Sequence, residues 1–443
     1  MQLFDIGRRC AATTMAVVAG IAVATQIVAA PTAGASPAAD PFYGYDAAAL
    51  ADIAPGAVLK TRVVDFHLAG IPLPIKVTQL LYRTTTALGA PAATVTSVMK
   101  PLVPTAQTRL VSYQSAYDSL SPNCEPSYNV AGGFLDDPLG SGFTGESGGV
   151  IALLTQGYTV LTSDFEGQRP DFGVGPQAGM GVLDGIRAAL NSPEVGLPSD
   201  VPVGMLGYSG GGIGTEWASE MAPDYAPDVN AHLVGAAAGG LPVDPIHNLK
   251  YASGSLFWST VIPMAVVGAS RAYGIDMTPY LSDYGKRITD TIQDGCIDKA
   301  LLNGGPLLTW QQLVKPEYAR PESIPAFVHA VNKLIMGTGG TPTAPLYIAQ
   351  GTLGELEGTL TKPDIGPGDG IMVAADSAGL AQEYCDRGVT VQYEQYPVSH
   401  GITGAVWALK TLGWMADRFN GVPAPQNCGS LPPGTQPQPI PES

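Results

Sequence analysis

Charged side chains are scarce in this sequence: Asp, Glu, Lys and Arg make up 14% of its 443 residues, against roughly 25% in an average soluble chain. Basic residues are scarcer than acidic ones, 22 against 38, which leaves a formal charge of −16. With no basic cluster to offset it, that balance repels phosphates and excludes nucleic acid as a partner. Long apolar runs are missing too. Beyond residue 36 no stretch approaches the ~18 apolar residues of a membrane span, and the longest, around 261–268, is far too short. There are only five histidines and five cysteines. No C-x-x-C pair or zinc-like spacing occurs, so no metal site is expected. No glycine-rich phosphate loop follows the first predicted strand, and no cofactor is expected.

What is present suits a large folded core. Apolar residues reach 45%, and the 55 Gly and 39 Pro fall short of a low-complexity composition. Mean hydropathy is +0.14. The length fits one α/β domain with an insertion, or two domains. Arg8 and Arg9 precede an apolar stretch, 11–30, and Ala33-Gly34-Ala35 then offers a small-residue cleavage site before Ser36. This order predicts a signal peptide over 1–35 and a secreted protein. Cys10 would leave with that segment. Cys124, Cys296, Cys385 and Cys428 remain, and in an oxidising compartment they predict two disulfides with three possible connectivities.

Residues 36–60 are small and polar and read as surface wrapping. Strand patterns follow at 75–84, 94–99, 109–114, 158–164, 203–208 and 232–238, and again at 344–349 and 389–396. Helical patterns lie between them at 150–156, 179–190, 215–221 and 374–385. The first two strands predict an antiparallel opening, and the alternation after them predicts a mainly parallel sheet. Residues 245–342 break the rhythm with apolar helical stretches (256–267, 323–334) and no clear strand. The sequence therefore predicts a core of 36–244 and 343–427, a helical cap of 245–342, and a Pro-rich, disordered tail of 428–443.

Gly207-Tyr208-Ser209-Gly210-Gly211 matches G-x-S-x-G at the end of a buried strand pattern, with Gly212, Gly214 and a helix beyond. A serine on a strand–turn–helix with small neighbours is a nucleophile elbow, and the Gly210 N–H then faces the developing oxyanion. A second match, Gly145-Glu146-Ser147-Gly148-Gly149, follows a loop and reads as a loop and helix cap. A nucleophilic serine needs a base placed after it in the chain. That order removes His67. His232 opens a buried strand, and His247 and His329 lie in the insertion. His400, in the loop after the last strand, is the choice. Acids after the 344–349 strand are Glu355, Glu357, Asp364, Asp369 and Asp376. Asp369, in a turn that feeds an apolar run, is preferred, with Asp364 second and Glu355 and Glu357 still open.

With Ser209, Asp369 and His400 in place, the chain resembles the secretory lipase family (lipase A-type, fungal and actinobacterial) of the α/β-hydrolases. The likeness is carried by S-Y-Q-S-A-Y-D-S-L-S-P-N-C-E-P-S-Y (112–128), S-D-F-E-G (163–167), G-M-G-V-L-D-G-I-R-A (179–188), G-A-A-A-G-G-L-P-V-D (235–244), and the run from D-G-I-M-V through Y-C-D-R-G-V to His400. The resemblance implies an α/β-hydrolase core with a helical lid. It implies that the Asp118 N–H would join Gly210 in the oxyanion hole. It also implies disulfides Cys124–Cys296 and Cys385–Cys428, and hydrolysis of carboxylic esters including acylglycerols, without metal or cofactor. The region 351–368 departs from the family in being longer and richer in Gly. An acyltransferase or peptidase on the same scaffold, and an inactive binding module, are the competing readings. The apolar insertion reads either as helical core or as an acyl tunnel under a lid that touches a lipid surface. The sequence leaves oligomeric state open.

Overall fold

In a computed structural model of the chain, residues 36–103, 105–133 and 142–442 are described. The expected signal peptide lies outside them. Nine strands form one sheet: β1 Val58–Leu68, β2 Ile71–Thr85, β3 Pro91–Met99, β4 Leu110–Gln114, β5 Thr159–Ser163, β6 Val203–Tyr208, β7 Leu233–Gly239, β8 Leu346–Gly351 and β9 Val391–Tyr396. Their order is β1-β2-β3-β5-β4-β6-β7-β8-β9. The pairs β1–β2, β2–β3 and β3–β5 are antiparallel, and every pair from β5–β4 to β8–β9 is parallel. The mainly parallel α/β-hydrolase architecture with an antiparallel opening is as expected from the alternation of elements.

Period-two alternation splits the core between the two faces of this sheet. Val203 and Met205 of β6, Ala236 and Ala238 of β7, and Leu346 and Ile348 of β8 pack with Val182, Leu183 and Trp217 of the helices Gly175–Asn191 and Gly210–Tyr225. Their neighbours Leu206, Ala237 and Tyr347 face Trp407, Trp414 and Met415 of the helix His400–Phe419. Glycine permits the close approach of that helix: a Cβ on Gly204 would lie 2.3 Å from the Met415 sulfur.

Residues 245–342 carry helices that form a layer of their own. Helices Pro245–Ala252, Val261–Tyr273, Asp283–Ile292, Ile297–Asn303, Trp310–Leu313 and Pro325–Asn332 share a second apolar cluster, which Leu120 and Phe172 of the core enter from below. The only strand-like pairing in this layer is an isolated bridge between Leu281 and Val314. Cys124 is bonded to Cys296 and Cys385 to Cys428. Among the described residues no helix is long and apolar enough to cross a membrane.

Three expectations are corrected. The wrapping expected over 36–60 stops short of 58: Val58–Leu68 form an edge strand that no expected strand covered, because its side chains are mostly half-buried or exposed and no apolar period marks it. The helix expected at 150–156 runs over Gly142–Thr155, which puts Ser147 inside a helix and buries it. The Pro-rich tail is not disordered. The Thr435 N–H donates to the Ala375 carbonyl, and Ile440 exchanges two hydrogen bonds with the Asn332 side chain. Proline removes donors and fixes φ, but an extended chain can still lie along a helix through its remaining amides.

Candidate active site

Strand β6 ends at Tyr208, and the helix Gly210–Tyr225 begins after a single intervening residue. Ser209 between them takes φ +56° and ψ −123°, a conformation that an L-residue holds only under constraint. The surroundings supply that constraint. A Cβ on Gly207 would lie 2.1 Å from the Gly211 carbonyl, and one on Gly211 would lie 2.0 Å from the Gln114 carbonyl. The Ser209 N–H donates to Gly239 on the neighbouring strand at 2.9 Å. The Gly210 N–H is the first of its helix and has no carbonyl one turn behind it.

Ser209 Oγ lies 2.8 Å from His400 Nε2, and His400 Nδ1 lies 2.7 Å from Asp369 Oδ2. The expected trio is therefore brought together. The remaining Asp369 oxygen accepts the N–H groups of Ile371 (3.1 Å) and Met372 (2.8 Å), and the His400 N–H donates to the Asp369 carbonyl at 2.8 Å. Asp369 and His400 are buried. Burial opposes charging of the imidazole. The Asp369 charge and hydrogen bond outweigh it, with help from Glu357 and Asp118, and hold the His400 pKa above its ordinary value.

The competing acids have other partners. Asp364 is exposed. Glu355 accepts from Thr361, and Asp376 bonds His247. Glu357 accepts from Trp258 Nε1 and from the Gly401 N–H. The other histidines are likewise engaged elsewhere: His67 and His232 with backbone carbonyls, His329 with Glu442.

Asp118, like Ser209, has a positive φ, +38°. It is buried, its Oδ1 meets no hydrogen-bond partner, and burial pushes its pKa up to about 7 against a smaller pull from His400. A Cβ on Gly210 would lie 1.7 Å from that Oδ1, so only glycine fits after the serine. Two acids, the half-buried Glu146 and the buried Glu166, brace the Asp118 loop. Glu146 accepts the Ala116 N–H and Glu166 accepts the Ser119 N–H. Sequence reasoning missed these braces because they lie 30 and 47 residues from their partners. Nor does the sequence show that Trp258, one of the apolar residues of the insertion, stands against the His400 ring at 5.2 Å between centroids.

Ser209 and Asp118 open on a cavity of about 1000 Å³, mouth included, under the helical layer. Apart from those two residues and Asn248 its wall is almost wholly apolar, with Ile213, Trp217, Ile262, Phe327, Val331 and Leu334 among its side chains.

The family described as "Secretory lipase" matches residues 144–427. A probable inactive lipase of Mycobacterium tuberculosis is 34% identical over 395 residues, 87% of this chain and 83% of that protein. Lipase A of Moesziomyces aphidis is 30% identical over 97% of this chain and 90% of its own length. The crystal structure of Candida antarctica lipase A in its closed state superposes with a TM-score of 0.77, at 28% identity and 91% coverage of each chain.

Proposed function

This chain belongs to the secretory lipase family and is a carboxylic ester hydrolase; from that premise we propose that it cleaves acylglycerols and related esters through a Ser209–His400–Asp369 triad and an acyl-enzyme. The observation that carries the reading is the hydrogen-bonded line of those three side chains at the head of an apolar cavity. His400 Nε2 takes the Ser209 proton as Oγ attacks the ester carbonyl. Asp369 holds the imidazole in the tautomer with its proton on Nδ1 and stabilises the imidazolium that forms. The Gly210 and Asp118 N–H groups receive the oxyanion. His400 then protonates the leaving alcohol, and water repeats the cycle on the acyl-enzyme. The apolar cavity holds the acyl chain, and the 245–342 layer acts as its lid and meets the lipid surface. We assign 1–35 to a cleaved signal peptide, a reading supported by the family and by the two disulfides.

One relative's name, probable inactive lipase, favours a second reading in which catalysis is lost. The 2.8 Å contact between Ser209 and His400 argues against it here. A chromogenic ester series from acetate to palmitate tests the two. The wild type should hydrolyse the series, and Ser209→Ala should lose roughly 10⁴-fold or more of that activity with its unfolding temperature unchanged. A wild type without activity, or a fully active Ser209→Ala, overturns the proposal.

A further inference from the structure

The region 351–368 lengthens the connection between β8 and Asp369 without supplying any side chain to the triad. Its path shows what it does supply. Glu357 closes a short 3₁₀ turn, Gly354–Glu357, which is tied back to the Asp369 loop by Gly354 N–H to the Gly368 carbonyl (2.8 Å) and by the Thr359 hydroxyl to the Gly370 carbonyl (2.6 Å). From that turn the two Glu357 oxygens diverge. One accepts the Trp258 indole N–H at 2.6 Å; the other accepts the Gly401 N–H at 3.0 Å, beside His400 on the first turn of its helix. Trp258 belongs to the helical layer and lines the cavity with Ser209. Its ring meets the His400 ring edge to face, at 5.2 Å and 77°. A Cβ on Gly370 would lie 2.9 Å from the indole nitrogen and 3.0 Å from Glu357, so the glycine after Asp369 makes room for the contact. The Leu256 N–H adds a backbone tie from the same cap segment to Gly358, at 3.0 Å.

We propose that Glu357 is a positioning residue for ester hydrolysis: it clasps Trp258 of the cap and the start of the His400 helix with one carboxylate, seating the indole over the imidazole and setting a second negative charge near it. The inference rests on His400 acting as the base. A carboxylate with two N–H donors makes two charge-assisted hydrogen bonds. Neither a neutral amide nor a shorter side chain can do the same from this backbone. The groups facing His400 are Asp369 at Nδ1, Ser209 at Nε2, Tyr208, whose ring is 5.0 Å away and whose hydroxyl donates to the His400 carbonyl, the Trp258 ring, and the more distant carboxyls of Glu357 and Asp118. The Glu357 charge acts in the same direction as that of Asp369, favouring the imidazolium. Its loss therefore lowers the pH at which His400 becomes charged.

The test is the pH profile of kcat/KM on a soluble short-chain p-nitrophenyl ester, run on the full-length wild type and on Glu357→Gln, Glu357→Asp, Trp258→Phe and Ser209→Ala. Glu357→Gln should lose roughly threefold to tenfold in rate at neutral pH, and its acid limb should move down by a few tenths of a pH unit. Glu357→Asp keeps the charge but cannot reach both donors, so it should lose rate with its limb in place. Trp258→Phe, which removes the indole N–H together with part of the ring but leaves the carboxylate in place, should behave likewise. An acid limb for Glu357→Gln that coincides with the wild type overturns the proposal, as does a limb that moves equally in Trp258→Phe. An active Ser209→Ala overturns instead the reading of the site on which the proposal rests, so the two failures are distinct.

Discussion

Ser209 and Asp118 are the two residues at the site whose side chains are not glycine and whose φ is positive, and each is fixed by packing rather than by its own preference. His400 is fixed by chemistry: with Asp369 on one nitrogen and Ser209 on the other, both ring positions are committed. Because the folded site raises the imidazole pKa, the base is lost as pH falls through a value above the ordinary 6.5. A kcat/KM profile on a soluble ester should therefore show its acid limb above pH ~6.5. Asp369→Asn should cost roughly 10⁴-fold in kcat and move the limb of any residual activity downward. A limb at or below the free-histidine value in the wild type would contradict the assignment. At this scale the sequence was informative where a local pattern exists. The glycines around Ser209 and the position of His400 after the last strand single them out. Asp369 had to be preferred among five acids, because the distinguishing fact is a hydrogen bond to a residue 31 positions away.

Elements were legible where burial imposes a period. The parallel strands and the helices Gly175–Asn191, Gly210–Tyr225 and Ala374–Asp386 stand close to their predicted positions, since β5, β6 and β8 are buried almost throughout. Strand β1 and the tail were not, because an edge strand and a proline-rich strap are specified by the backbone donors of their neighbours rather than by their own apolar residues. The two disulfides differ in the elements they join. Cys124–Cys296, separated by 172 residues, pins the loop that carries Asp118 to the cap, and the Leu120 N–H reinforces it by donating to the Gly295 carbonyl at 3.0 Å. Cys385–Cys428, separated by 43, pins the start of the tail to the helix Ala374–Asp386. Removing either pair by Ser substitution should lower stability by roughly 2–5 kcal/mol. Only the Cys124/Cys296 variant should also lose activity at temperatures where it remains folded. Equal activity losses in the two variants, read beside their unfolding curves, would contradict this division.

At the scale of the whole molecule, scarce charge with positive hydropathy resolves into structure. Helices cover both faces of a nine-stranded sheet, and a second apolar cluster fills the cap. Leu256, Phe257, Leu302 and Leu307 are exposed on the cap, but so are Leu353, Leu356, Leu360 and Ile402 on the segments next to Glu357 and His400. Exposed apolar side chains therefore lie on the core loops as well as on the cap. The proposed mechanism rests on a single reactive hydroxyl, that of Ser209. The most direct test is peptide mapping by mass spectrometry after incubation with a p-nitrophenyl alkylphosphonate. The account predicts one covalent adduct per chain, on Ser209, absent in Ser209→Ala and formed far more slowly in His400→Ala. An adduct on another serine such as Ser147, or no adduct in a preparation that hydrolyses esters, would contradict it.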